Sequence, residues 1–107
     1  MPHLTSRAQF EALTREGTAI LLKHGATCPI SAAARDELAD FAARHGDVPI
    51  YDIEVTGNRD LSDYAADRLG VEHQSPQAFV LRDGKPVWHA EHYDITAGAL
   101  EAQARAD

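Results

Sequence analysis

The segment that most constrains the fold is a seven-residue apolar run, Thr18–His24 (TAILLKH), bounded by Gly17 and Gly25. A run of this length is too short for a stable helix and is typical of a strand buried in the centre of a sheet. Shortly after it, Pro29–His45 repeats apolar residues at helical spacing, and its first residue is a proline, which a helix tolerates in its first turn. The sequence therefore predicts a strand, a tight turn and a helix, with Cys28 at the helix N-terminus.

The rest of the chain predicts further helices and strands. A Ser6-x-x-Gln9 capping box starts a first helix, and Asp83-Gly84 is a strong hairpin signal between two strands. The predicted elements are helices over Thr5–Glu16, Asn58–Gly70 and Thr96–Ala106 and strands over Val48–Val55, Gln77–Arg82 and Lys85–Glu91.

Apolar spacing also predicts which helix faces are buried. The third helix has a core face of Leu61, Ala65 and Leu69, and the last is weakly amphipathic around Leu100. The apolar residues at helical spacing are Phe10 and Leu13 in the first helix and Ile30, Ala34, Leu38, Phe41 and Ala42 in the second.

The order of these elements predicts the fold class. Alternating strands and helices followed by a hairpin indicate an α/β fold with a central four-stranded mixed sheet flanked by helices, its first two strands parallel through a right-handed crossover. Ligands of such sheets gather at the carboxyl ends of the strands. Cys28 follows the first strand at that end.

Composition narrows the class of protein. The 107 residues are enough for one domain, 1–107. With 10 Lys plus Arg against 17 Asp plus Glu, the chain has no basic cluster for nucleic acid, and no stretch approaches the ~20 apolar residues of a membrane span. The first residues lack the apolar core of a signal peptide, so we expect a soluble, cytoplasmic protein.

Cys28 is the only cysteine, which excludes an internal disulfide. A helix N-terminus stabilises a thiolate and can lower a cysteine pKa well below its usual ~8.5. A lone cysteine is also often a small buried apolar residue, and position alone leaves both interpretations open.

Neighbouring motifs favour the reactive interpretation. Ser31 occupies the position that a second thiol holds in a Cys-x-x-Cys motif, and Ser75-Pro76 precedes a predicted strand. The chain resembles the monothiol bacilliredoxin family, the YtxJ-type proteins of the thioredoxin fold. The matching segments are Leu22-Lys23-His24, Thr27-Cys28-Pro29-Ile30-Ser31, Val48-Pro49 with Tyr51, Leu61-Ser62, Gly70-Val71 with His73, Ser75-Pro76-Gln77 with Phe79, Trp88-His89, His92 and Ile95-Thr96.

This resemblance implies a thioredoxin-like domain that removes bacillithiol, a thiol carrying malate carboxylates, from mixed disulfides with protein cysteines. Cys28 would attack, and an external thiol would release its adduct because Ser31 cannot. Bacillithiol would be a co-substrate with no tightly bound cofactor or metal. The partners would be bacillithiolated proteins and a low-molecular-weight thiol, with the chain a monomer or weak dimer.

The resemblance also implies which residues surround the substrate, with a cis proline facing the thiol. We expect Lys23 and His24 to receive a malate carboxylate, and His73 either to touch the site or to be an ordinary loop residue. The expected substrate-binding residues are Lys23, His24, Thr27, Pro29, Ser31, His73, Ser75 and Pro76.

Two other functions stay open. Some monothiol thioredoxin-fold proteins carry a [2Fe-2S] cluster, although those usually have glycine after the cysteine, where this chain has Pro29. A redox-inert binding module is the other alternative. His89 and His92 do not predict a metal site, since residues three apart on a strand face opposite sides.

Overall fold

The computed structural model describes residues 1–105 as a central sheet with helices on both of its faces. The elements in chain order are α1 (Arg7–Thr14), β1 (Thr18–His24), α2 (Pro29–Arg44), β2 (Ile50–Glu54), α3 (Arg59–Leu69), β3 (Gln77–Arg82), β4 (Lys85–Glu91), a 3₁₀ turn (His92–Asp94) and α4 (Ala97–Ala104).

The four strands form one mixed sheet in the order β2-β1-β3-β4. β1 runs parallel to β2, with Ile20 opposite Ile50, and antiparallel to β3, which is antiparallel to β4. The predicted four-stranded mixed sheet and its parallel first pair are confirmed. β1 lies in the interior of this sheet, so its carboxyl end opens into the middle of the sheet edge.

Two apolar clusters hold the helices on the sheet. Ile20 and Leu22 face α2 and α4 in one cluster, whereas Leu21 faces α1 and α3 in the other. Alternation along β1 is the reason, because successive side chains of a strand point to opposite faces. The prediction that β1 is a buried central strand is confirmed from Ala19 to His24.

The bounds of β1, β3 and β4 agree with the prediction, and the helices are shorter than predicted by a few residues. β2 begins at Ile50 rather than at Val48, since Pro49 has no N–H for the ladder and contributes only its carbonyl, which accepts from Ile20 N at 2.9 Å. The predicted end of the last helix, Ala106, lies outside the described residues.

Three residues of the predicted apolar helix faces, Leu13, Ile30 and Ala42, are not buried. Leu13 is 42% exposed, and Thr14 is buried in its place, four residues after Phe10, with its hydroxyl donating to the Phe10 carbonyl at 2.6 Å. Ala42 is exposed, and the buried face of α2 begins at Ser31 instead of Ile30. In both helices a polar side chain that bonds locally takes a buried position that apolar spacing alone does not predict.

The Asp83-Gly84 hairpin turn is confirmed. Both residues have positive φ, 52° and 81°, which is the backbone of a type I′ turn. The Asp83 carboxylate accepts from Gly17 N at 2.8 Å and ties the turn to the start of β1. Within residues 1–105 no helix has the length and hydropathy needed to cross a membrane.

Candidate active site at the end of strand β1

Cys28 lies where β1 passes into α2. Its backbone is extended, with φ −84° and ψ 125°, and it occupies the N-cap position immediately before Pro29. The thiol is free and its residue is partly exposed. The predicted placement at a helix N-terminus is therefore confirmed, and the interpretation of Cys28 as a sealed apolar residue is wrong.

The environment of Cys28 favours its thiolate. The backbone N–H of Ser31 and then that of Ile30 lower the pKa of the thiol; burial opposes them, and the Ser31 hydroxyl and the Arg35 charge lower it further. Within the described residues, the sulfur accepts no capping hydrogen bond from the backbone of α2. The stabilisation is thus the electrostatic attraction of first-turn N–H groups for an anion.

Ser31 lies one turn into α2, in the position where a dithiol protein would hold its second sulfur. It is fully buried, and its Oγ accepts from the backbone N–H of Gly25 at 3.0 Å. A Cβ added at Gly25 would lie 3.7 Å from Cys28 Cβ, so the turn before the cysteine packs closely against it. Ser31 therefore ties the turn to the helix, and its hydroxyl also lowers the pKa of the Cys28 thiol.

Arg35 reaches the same turn from the next turn of α2. Its Nη1 donates to the Gly25 carbonyl at 3.0 Å and to Nδ1 of His24 at 2.9 Å. His24 is buried, and its Nε2 bonds to the Asp52 carboxylate on β2. The prediction did not include Arg35 or Asp52 in the site.

Asp52 is 1% exposed and has a second partner, Nδ1 of His3, at 2.5 Å. Burial opposes the ionisation of Asp52, but the interactions with His24 and His3, their hydrogen bonds first, together outweigh burial and lower the pKa of the carboxyl. An acidic residue between Tyr51 and Ile53, in the interior of β2, is the sequence signal that could have pointed to this cluster.

Lys23 and His24 lie on opposite faces of the sheet. Lys23 is fully buried on the α3 side, where Nζ donates to the Ser62 carbonyl at 3.2 Å. Burial lowers the pKa of Lys23 to about 8, partly offset by Asp63. The expectation that Lys23 and His24 together receive a substrate carboxylate does not match these positions, because both side chains are buried and bonded within the protein.

His73 belongs to the Lys23 side. It is exposed, and its Nδ1 lies 3.1 Å from the Ser62 Oγ. Burial and then the Lys23 charge lower the pKa of His73. The Ser75–Pro76 peptide bond is cis, and Pro76 is buried directly before β3.

The predicted residues thus fall into separate groups. Thr27 and Pro29 are exposed on either side of Cys28, with Ser31 below them. His24 joins this group through Arg35. Lys23 and His73 form a second cluster around Ser62, on the other side of β1.

The two histidines near the end of β4, His89 and His92, have different surroundings. His89 Nδ1 pairs with the Glu91 carboxylate at 2.7 Å, and His92 begins the 3₁₀ turn. In the part of the chain that the structure describes, no three His, Cys, Asp or Glu residues lie close enough together to hold a metal ion.

Comparison with known proteins identifies the family of the chain. A family model described as monothiol bacilliredoxin BrxC matches residues 2–100. The chain belongs to the monothiol bacilliredoxin family. A solved structure described as a candidate oxidoreductase with a thioredoxin fold is 42% identical, with a TM-score of 0.91, and the match covers 98% of this chain and 93% of that one.

More distant structures share the bacilliredoxin's fold alone. Mitochondrial thioredoxin 3 from Saccharomyces cerevisiae is 15% identical with a TM-score of 0.78, covering 98% of this chain and 93% of that chain. Thioredoxin from Trypanosoma brucei brucei is 16% identical with a TM-score of 0.79, covering 96% and 86%. Family and fold together make this bacilliredoxin a thioredoxin-fold thiol-disulfide oxidoreductase with a single cysteine.

Proposed function

We propose that this bacilliredoxin removes bacillithiol from S-bacillithiolated proteins. The observation that carries the proposal is the partly exposed Cys28 at the N-cap of α2, where first-turn N–H groups lower the pKa of its thiol and Ser31 replaces the second thiol. A thiolate in this position is a competent nucleophile toward a disulfide at neutral pH.

The reaction consists of two thiol-disulfide exchanges. In the first, the Cys28 thiolate attacks the bacillithiol sulfur of the mixed disulfide; a new disulfide forms between Cys28 and bacillithiol, and the substrate cysteine leaves as thiolate. In the second, the thiolate of an external thiol attacks the bacillithiol sulfur, and Cys28 leaves as thiolate. One disulfide is broken and one formed in each step, so the external thiol ends as the oxidised product.

The second step needs another molecule because Ser31 stands where a second thiol would be. Its hydroxyl cannot attack a disulfide, and it is bonded to Gly25 N. Free bacillithiol or another low-molecular-weight thiol is therefore the co-substrate, and no tightly bound cofactor enters the reaction. The exposed Thr27 and Pro29 and the Ser75–Pro76 loop are the surfaces we propose for the substrate.

Such a reaction requires a reducing compartment, since an unpaired reactive cysteine persists there as a thiol. We therefore propose the cytoplasm as the site of action. The reaction also needs one cysteine per catalytic unit, so the protein can act as a monomer or in a weak dimer.

Mass spectrometry with bacillithiol disulfide tests the function. The protein should gain one bacillithiol on Cys28, and a protein substrate carrying bacillithiol should lose it when the free protein and an external thiol are supplied. Cys28→Ser should do neither, while Ser31→Ala should still form the adduct. A wild-type protein that forms no adduct and leaves the substrate unchanged would contradict the proposal.

A further inference from the structure

We infer that Asp52 and His24 are positioning residues that hold the Arg35 guanidinium against the turn that leads to the reactive thiol. The inference rests on the proposed function for its chemical purpose and on a chain of hydrogen bonds for its geometry. The chain runs from the Asp52 carboxylate through both nitrogens of the His24 ring to Arg35 Nη1.

The hydrogen bonds determine which ring nitrogen carries the proton. A guanidinium only donates, so Nδ1 of His24, at 2.9 Å from Arg35 Nη1, must accept. The ring proton is therefore on Nε2, which donates to the Asp52 carboxylate. Asp52 fixes the neutral tautomer whose free lone pair binds Arg35.

Residues of the N-terminal segment hold Asp52 in place through hydrogen bonds. His3 Nδ1 bonds to its other carboxylate oxygen at 2.5 Å, Leu4 N donates to its carbonyl at 2.7 Å, and its N–H donates to the Pro2 carbonyl at 3.1 Å. Both carboxylate oxygens are thus occupied. A buried carboxylate held on both sides keeps one orientation, and so does the histidine bonded to it.

Arg35 lies two helical turns after Cys28 on α2. A second bond from Nη1, to the Gly25 carbonyl at 3.0 Å, places its charge against the turn that packs on the cysteine. Glu54 opposes it, because its carboxylate accepts from Ala26 N–H in the same turn. A fixed guanidinium offsets this negative charge and favours a thiolate at the sulfur.

The guanidinium serves both exchanges of the proposed reaction. It stabilises the Cys28 thiolate that attacks and the same thiolate when it leaves its adduct. Asp52 and His24 touch neither sulfur, so they act only through Arg35. Without them the guanidinium retains one hydrogen bond, to Gly25, and its long side chain regains freedom to turn toward solvent.

The test is a pH titration of the thiolate by ultraviolet absorbance, with Cys28→Ser as the blank. Arg35→Met should shift the titration midpoint to higher pH. Asp52→Asn should also shift it upward, because an amide can donate to Nε2 and turn a second donor, Nδ1–H, toward Arg35. Arg44→Met, which removes an exposed arginine of the same helix, should leave the midpoint at the wild-type value.

The double variant separates positioning from general disturbance. In the Arg35→Met background, Asp52→Asn should produce no further shift, because its effect passes through Arg35. His24→Phe replaces Asp52→Asn if that variant does not fold, since a phenyl ring keeps the ring shape and has no nitrogen to bond either neighbour. An unchanged midpoint in Arg35→Met, or an equal shift from Asp52→Asn with and without Arg35, would overturn the inference.

The titration contains no bacillithiol, so it fails or succeeds independently of the proposed function. A wild-type protein that forms no bacillithiol adduct would contradict the proposed function and would leave the titration result unaffected. Conversely, if the wild type exchanges bacillithiol while Arg35→Met has the same Cys28 titration midpoint as wild type, that result would contradict only the positioning role.

Discussion

Replacing Lys23 by methionine tests how much folding free energy the buried Lys23 charge costs. Lys23 is fully buried with one hydrogen bond, to the Ser62 carbonyl, and burial lowers its pKa from 10.5 to about 8. A difference of this size between folded and unfolded chains corresponds to about 3 kcal/mol of folding free energy. Methionine has a similar length and carries no charge into the interior.

The sign follows from proton binding. Between pH 8 and 10.5 the unfolded chain keeps the Lys23 proton that the folded chain has lost, so the wild type gains stability from this group as the pH rises. At pH 7 both states are charged and the full burial cost applies. Allowing ~1 kcal/mol for the lost hydrogen bond, Lys23→Met should be more stable than wild type by about 2 kcal/mol at pH 7.

Urea unfolding of both proteins at pH 7 and at pH 10.5 measures the effect. The stability of wild type relative to Lys23→Met should rise by about 3 kcal/mol between the two conditions. Lys85→Met, which removes an exposed lysine of β4, serves as the control and should show no comparable change. A difference between wild type and Lys23→Met that is the same at both pH values would refute the reasoning.

Two further predictions concern the site and the backbone. Ser31→Cys should allow the Cys28 adduct to resolve internally, so mass spectrometry without reductant should find an intramolecular disulfide and released bacillithiol; an adduct that persists would contradict the assignment of Ser31 to the resolving position. Gly98→Ala, in α4 with open space around it, should stabilise the protein by about 0.5–1 kcal/mol in thermal unfolding. Gly84→Ala should destabilise it by about 1–2 kcal/mol, because φ at Gly84 is +81°; two shifts of equal sign would contradict this pair.

Features set by neighbouring residues could be predicted from the sequence. The fully buried β1, the type I′ turn at Asp83-Gly84 and the helix that begins at Pro29 each depend on a short segment, and each has the predicted bounds or start. The position of Cys28 follows from the same local order. The prediction for Leu13 was wrong because the hydroxyl of Thr14 bonds to its own helix, which lets this polar residue take the buried position.

The surroundings of the thiol could be predicted only in part. Asp52 is 28 residues from His24 and 49 from His3, and only the packing of β2 beside β1 and the N-terminal segment brings these side chains together. The opposite directions of Lys23 and His24 were implicit in strand alternation, yet which side each faces depends on the helix packed there. Their burial therefore appeared only with the fold.

The pH dependence of Cys28 alkylation by iodoacetamide tests the central claim most directly. We expect a single transition with a midpoint below the ~8.5 of an unperturbed thiol, since the N–H groups of Ser31 and Ile30 stabilise the thiolate. The unfolded protein, in which the same cysteine has lost its helix, provides the reference. A native midpoint at or above that reference would contradict activation by the helix N-terminus, and with it the proposed exchange chemistry.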